Sequence, residues 1–389
     1  MYFIKLFLNK GIKKSIKFLI IIILFGIVGI WFYYISIFVK PYHLMNVNDD
    51  NKLHVESNNV NNNVNNKNRN EILMKKFIDN NINKNFTKIK NQNLFSENNN
   101  ENENSKLFAV TYASHGGRDD RFCRSVESAI RNNINLIILG WGIKWRGLSQ
   151  KLEAAHDFTS NLNNNDIILF TDAYDVLFTD EPHIIKQKYL EFNSSIVFSA
   201  ECGCWPHIMD GRICFDKYPM SPTPYRYLNS GAWIGRAKQA QNMLNYVMIQ
   251  AGANFANAND QKLMGDIYIE GKYDIKLDFY SKIFQSMHMT LDKPLPYCDP
   301  TKHIKLNKHN NFINTLTNTK PAIYHFNGGG KRVHLSMEKS IWYKKNSLYN
   351  TKIIIDDLKK HLISVPLKND KNRKISFNDL CPNYLSNRA

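Results

Sequence analysis

Apolar residues between Leu107 and Ala200 fall into short runs separated by longer amphipathic stretches. Leu107 to Tyr112, Leu136 to Leu139, Ile167 to Thr171 and Ile196 to Ala200 are rich in Ile, Leu, Val and Phe. Such compact runs are the pattern of strands buried on both faces. The intervening segments Arg121 to Asn132, Gln150 to Leu162 and His183 to Phe192 have helical spacing. Strands alternating with helices of this length predict right-handed βαβ units. The expected fold class is therefore α/β, a mostly parallel sheet flanked by helices. Tyr227 to Gly235 adds a further strand-like run, and helices are expected at Lys262 to Ile269 and Lys352 to His361. One α/β domain is expected over residues 106–345, with a 346–389 extension that either packs onto it or trails away.

The N-terminal third follows a different pattern. Phe18 to Val39 is a charge-free run of 22 residues. As a helix it would extend roughly 33 Å, enough to cross a bilayer core. Lys5, Lys10, Lys13, Lys14 and Lys17 precede it, and Asp49 and Asp50 follow. The positive-inside rule keeps residues 1–17 cytoplasmic and makes 18–39 a type II signal-anchor. A cleaved signal peptide is the rival, but its apolar stretch should be shorter. Residues 41–105 hold 23 asparagines. Such a polar tract buries too little surface to offset its ordering entropy, so 40–105 reads as a disordered stalk. The rest is expected in the lumen of the endoplasmic reticulum or Golgi.

Composition adds three constraints. Six cysteines (Cys123, Cys202, Cys204, Cys214, Cys298 and Cys381) suit a compartment where disulfides form, in a pairing the spacing does not decide. Cys202-Gly-Cys204 has no matching second half, which argues against zinc. The formal charge of +17 comes with no nucleic-acid motif, so the excess reads as solvated surface.

The segment Asp166-Ile-Ile-Leu-Phe-Thr-Asp-Ala-Tyr-Asp175 carries the sharpest chemistry. An apolar strand delivers Asp172 and Asp175 to its carboxyl end, where open α/β sheets bind ligands. Two carboxylates there repel unless a cation lies between them. The simpler alternative is a solvated turn with a helix cap. Other clusters follow strands in the same way. Trp141 to Gly147 offers aromatics and Arg146. Tyr227 to Gly235 contains Asn229, while Asn259-Asp260-Gln261 opens a helix that either asparagine or aspartate could cap. Tyr324 to Lys331 joins a metal-competent His325 to a triple glycine, including Gly328, and to a cationic Lys331.

In order, these motifs resemble the glycosyltransferase domain of the procollagen lysyl hydroxylases. The series runs Val110-Thr111, Trp145-Arg146-Gly147, Gln150-Lys151, Asp172-Ala-Tyr-Asp175, Phe198-Ser-Ala-Glu201 and Cys204-Trp205-Pro206. It continues with Tyr227-Leu-Asn-Ser-Gly231, Asp260-Gln261, Leu277-Asp278, Ile283-Phe-Gln285 and His325-Phe-Asn-Gly328 with Lys331. The resemblance implies a GT-A nucleotide-sugar transferase fold, a UDP-sugar donor (UDP-glucose or UDP-galactose), and Mn2+, with Mg2+ the alternative ion.

By position, it implies metal ligation by Asp172, Asp175 and His325. It puts Thr111 and Tyr174 on the uridine, and Trp145 and Lys151 in the donor pocket. Gly328 and Lys331 fall at the diphosphate. Trp205, Asn229, Asp260, Gln261 and Asp278 lie around the transferred sugar and acceptor, with Asp260 a possible base. The expected partners are the donor, a protein or glycan acceptor such as hydroxylysine, and the membrane, with no nucleic acid. Departures from the family pattern bear on acceptor choice: Asn257-Ala-Asn259 replaces a run of aspartates, Leu148-Ser149 replaces two glycines, and Phe326 and Gly329-Gly330 alter the histidine loop. No His-x-Asp iron motif occurs, so lysine hydroxylation is not expected. A catalytically inactive lumenal scaffold that binds UDP-sugar or glycan is the second functional reading.

Overall fold

The structure, a computed structural model, describes residues 104–117, 119–207, 212–290, 296–382 and 384–385. The tail, the span predicted at 18–39 and the stalk up to residue 103 lie outside the described residues. Among the described residues, no helix is long and apolar enough to cross a membrane.

The chain alternates as its apolar pattern requires. β1 (Leu107–Tyr112), α1 (Asp120–Arg131), β2 (Leu136–Leu139), α2 (Ser149–Thr159), β3 (Ile167–Thr171), β4 (Val176–Phe178), α3 (Pro182–Leu190) and β5 (Ile196–Glu201) come first. They are followed by β6 (Tyr227–Arg236), α4 (Ala237–Ala251), α5 (Asp260–Glu270), β7 (Ile275–Asp278), β8 (Phe284–Ser286), β9 (Ile304–Leu306), β10 (Phe312–Asn314) and β11 (Ile323–His325). The last elements are α6 (Lys331–Ser340), α7 (Trp342–Lys345), α8 (Lys352–Lys360), β12 (Leu362–Ser364), β13 (Lys374–Ser376) and α9 (Phe377–Leu380).

Eight strands form the main sheet in the order β13-β12-β2-β1-β3-β6-β5-β7. β12, β2, β1, β3, β5 and β7 share one direction, whereas β6 and β13 run against it. The crossover from β3 through α3 to β5 therefore skips a place, which β6 later fills in the antiparallel sense. All of β3 is buried because both faces of the sheet are covered. Ile167 and Leu169 face a core with Phe122, Val126 and Ile185, while Ile168 and Phe170 face one with Leu152, Met243 and Trp233. This is the period-two alternation of a strand, applied to two apolar layers.

Of the two outcomes expected for residues 346–389, the described residues show packing onto the domain. β12 pairs in parallel with β2, β13 extends the sheet beyond β12, and Cys381 is disulfide-bonded to Cys123 on α1. The extension packs because Ile363, Phe377, Leu380 and Tyr384 are apolar groups shared with the α1 core. Long helix α4 is the main element absent from the sequence reading. The other disulfides are Cys202–Cys298 and Cys204–Cys214, so the two cysteines of Cys202-Gly-Cys204 have separate partners.

A small second sheet, β4-β11-β8, matters most for function. β11 lies antiparallel to β4, with His325 opposite Val176. A histidine distant in sequence is thereby set beside the turn that carries both aspartates.

Candidate metal and donor site

The site begins where β3 stops. The Asp172 N–H donates to Gly231 O at 2.7 Å, and the Phe326 N–H donates to Asp175 O at 2.7 Å. These bonds fix the two ends of the acidic turn to different strands. On β6, pairing jumps from Phe198–Trp233 to Ser199–Asn229, leaving Ser230 to Ala232 without counterparts on β5. The bulge brings Asn229, Ser230 and Gly231 to the turn. Ligand atoms of Asp172, Asp175 and His325 all lie within 4.8 Å of one another.

Electrostatics explain what this cluster requires. His325 Nδ1 is 3.0 Å from Asn229 Oδ1, an acceptor that fixes the proton on Nδ1. Nε2 then points its lone pair at Asp175 Oδ1 (3.4 Å) and Asp172 Oδ2 (3.6 Å), buried and without a hydrogen bond. A buried imidazole nitrogen facing two carboxylates calls for positive charge between them, either a proton on Nε2 or a bound cation. Burial works against charge on His325, but Asp175, then Asp172 and Glu201, outweigh it and raise its pKa. Burial likewise opposes ionisation of Asp175, yet His325, Lys331 and Lys151 bring its pKa down to about 2. The donor set of two carboxylates and one imidazole suits Mn2+ or a similar hard ion. The residues fit the metal that the resemblance implies.

Lys151, on α2, lies 2.9 Å from Asp172 Oδ1 and 2.8 Å from Asp260 Oδ2. Burial opposes its charge, but the two carboxylates raise its pKa. Ser230 Oγ donates to Asp260 Oδ2 at 3.0 Å. Asp260 is free to turn inward because Asn259 caps α5, its side chain accepting from Lys262 N. Lys331 opens α6 with Nζ 3.7 Å from Asp175 Oδ2 and remains half exposed. Gly328 has φ +50°, and a Cβ there would meet His288 Nδ1 at 2.2 Å, so this turn needs glycine on two counts.

The structure also assembles groups missing from the predicted set. Buried Glu201 ends β5 and accepts from Asn229 Nδ2 (3.1 Å), Gln261 Nε2 (2.5 Å) and Asn327 Nδ2 (2.7 Å). Its signal was an acidic residue closing an apolar strand, as Asp172 does on β3. Half-exposed Trp205 is tied in through its carbonyl, 3.3 Å from Gln261 Nε2. Tyr174 donates its hydroxyl to His115 O, and its ring packs on Phe122. Trp145 is exposed and tilts against Tyr112.

Two predicted residues turn their polar side-chain atoms to backbone groups. Thr111 is buried, its hydroxyl donating to Thr171 O at 2.8 Å and tying β1 to β3. Fully buried Asp278 accepts from the N–H groups of Lys282 (2.8 Å), Ile283 (2.7 Å) and Phe284 (2.9 Å). That carboxylate clamps the turn before β8 and has no hydrogen bond to the cluster among these contacts.

The family model described as PLOD GT domain matches residues 103–354. The chain belongs to this family. Procollagen-lysine,2-oxoglutarate 5-dioxygenase 2 of Homo sapiens is 30% identical over 202 residues, 48% of this chain and 26% of that protein. The multifunctional procollagen lysine hydroxylase and glycosyltransferase of Caenorhabditis elegans is 29% identical over 242 residues, 58% of this chain and 31% of its own length. The chain thus spans about a quarter to a third of these relatives. Among solved structures, a glycosyltransferase involved in the glycosylation of the major capsid of PBCV-1 aligns with TM-score 0.36 and 9% identity, over 60% of this chain and 98% of that one. As a member of the PLOD GT domain family, the chain carries a glycosyltransferase domain with an α/β fold. Of the positions that depart from the family pattern, Asn259 serves as a helix cap and Asn257 is exposed.

Proposed function

We propose that this protein is a GT-A transferase that uses Mn2+ to move a hexose, glucose or galactose, from a UDP-sugar to a hydroxyl acceptor. A protein side chain such as hydroxylysine, or a glycan, fits the acceptor role. The observation that carries this reading is the Asp172–Asp175–His325 cluster with its unpartnered Nε2. These three residues would hold the ion, which when bound offsets charge developing on the diphosphate leaving group. Asn229 holds the imidazole in the ligating tautomer. Lys331 reaches outward to add a second positive charge at the diphosphate. Tyr174 and Trp145 supply aromatic surface for the base. Lys151 and Ser230 share Asp260 Oδ2, which makes Asp260 a fixed charge around which the sugar binds.

Three disulfides support a lumenal setting, and the charge-free run 18–39 supports a signal-anchor there. UDP release by the purified protein across a panel of UDP-sugars, with and without Mn2+, tests the reading. Release should require Mn2+ and be lost in Asp172→Ala; a variant as active as the wild type would overturn it. UDP binding without turnover on any donor or acceptor would instead favour the scaffold reading.

A further inference from the structure

The residues after 354 lie beyond the family match, yet they reach the proposed donor pocket through a continuous set of contacts. Chain 113–117, just after β1, is pressed from two sides. A Cβ on Gly116 would lie 2.7 Å from the Phe122 ring, and one on Gly117 would lie 2.0 Å from the Leu380 carbonyl oxygen. Backbone therefore touches ring on one side and the α9 backbone on the other, with no space for a side chain. The Cys123–Cys381 bridge closes this junction, with Cys123 Sγ 3.7 Å from Gly117 O. The same loop offers His115 O to the Tyr174 hydroxyl, and Phe122 packs on both Tyr174 (5.8 Å) and Trp141 (5.6 Å). Tyr174 lies inside the acidic turn, between Asp172 and Asp175. Contacts thus run from Leu380 and Cys381, through Gly117 and His115, to the ring proposed to meet the base.

We propose that the segment Phe377–Pro382, stapled by Cys123–Cys381, is a positioning clamp for loop 113–117 and Tyr174. Opening that disulfide loosens the loop and weakens binding of the nucleotide half of the donor. The inference rests on the proposed donor reading for its ligand, but not for its clamp. A dithiol reductant supplies the two electrons and two protons: the S–S bond breaks, Cys123 and Cys381 become thiols, and the reductant closes its own disulfide. Tyr384 Oη donates to Glu127 Oε2 at 3.1 Å, and Leu380 and Phe377 stay in the core, so the segment keeps noncovalent anchors after reduction. The expected result is a softened loop in a folded domain.

The test compares the disulfide-bonded protein with a Cys123→Ser/Cys381→Ser double variant, and with Gly117→Ala, which disturbs the Leu380 contact while leaving the bridge intact. Hydrogen exchange is followed in peptides covering 113–117 and 172–176, and UDP affinity is measured with Mn2+ present. Both variants should exchange faster in these peptides. UDP should bind about tenfold more weakly, the scale of losing one base–aromatic stack. Mn2+ affinity without nucleotide should fall less than UDP affinity, since hydrogen bonds to Gly231 O and from the Phe326 N–H hold both ends of the acidic turn. Unchanged exchange at 113–117 in both variants overturns the clamp, as does faster exchange with UDP affinity fully retained. If the disulfide-bonded protein itself does not bind UDP, the donor reading fails, and the exchange comparison alone decides the clamp.

Discussion

Gly231→Ala puts the metal-site geometry to a direct test. A Cβ at 231 would lie 2.3 Å from His325 Cε1 and 2.6 Å from Asp172 Oδ2. Nonbonded carbons rest at roughly 3.5 Å, so the imidazole would have to retreat by about 1 Å. Two of the three proposed ligands are displaced together. Metal–ligand distances tolerate only about 0.2 Å, and an error of about 1 Å at a reacting centre costs about 10²-fold in rate. The glycine does not adopt a left-handed φ, so the substitution tests space rather than backbone strain. Overpacking should lower stability by about 1–3 kcal/mol, a melting shift of several degrees in a folded protein. Mn2+ affinity, read by titration against the electron paramagnetic resonance signal of the free ion, should fall at least about tenfold. Turnover should fall further. A Gly231→Ala protein that binds Mn2+ as tightly as the wild type would refute the placement of these ligands.

Other expectations follow from individual contacts. Lys151→Met leaves buried Asp260 and part-exposed Asp172 without their shared cation, a loss of about 3 kcal/mol in metal-free protein that Mn2+ should partly restore; equal melting temperatures would contradict this. His334 is buried and stacked 4.4 Å from Phe326, and burial brings its pKa down to about 4 from an ordinary value near 6.5. Between those values the unfolded chain binds the extra proton, so stability should decline by about 3 kcal/mol as pH falls from 6.5 to 4. A His334→Phe variant should lack this part of the acid slope; identical slopes would show that His334 does not titrate in that window. Asp278→Asn turns one of the two oxygens that together accept three backbone N–H bonds into a donor, and should lower stability by about 1–3 kcal/mol while leaving Mn2+ affinity intact. Lost Mn2+ binding there would return Asp278 to the site.

Much of the fold was legible because local signals agreed with tertiary demands. The strand runs at 107–112, 136–139 and 167–171 match the observed strands residue for residue, since a strand buried on both faces must be apolar throughout. Helix bounds differ by up to three residues, as at Ser149–Thr159, because capping and fraying set the ends. β6 escaped a directional assignment, since nothing in an apolar run encodes whether its neighbours run parallel or antiparallel. The extension was ambiguous for a related reason: its short strands and the Cys381 partner acquire meaning only against the edge of β2 and helix α1.

The site divides along the same line. The sequence by itself determined the chemical types and their strand-end placement: the acidic turn Asp172–Asp175, the distant His325 and Lys331, and the family order that links them. It did not distinguish residues that face the cluster from those that support it. Thr111 and Asp278 carry apt side chains, but neighbouring backbone groups satisfy them. Glu201 is gathered in because three amides from β6, α5 and the loop after β11 converge on its carboxylate. Only the tertiary structure decided this, because the partner of a polar group depends on distances between elements far apart in the chain, and a buried polar group must find a partner wherever the fold provides one.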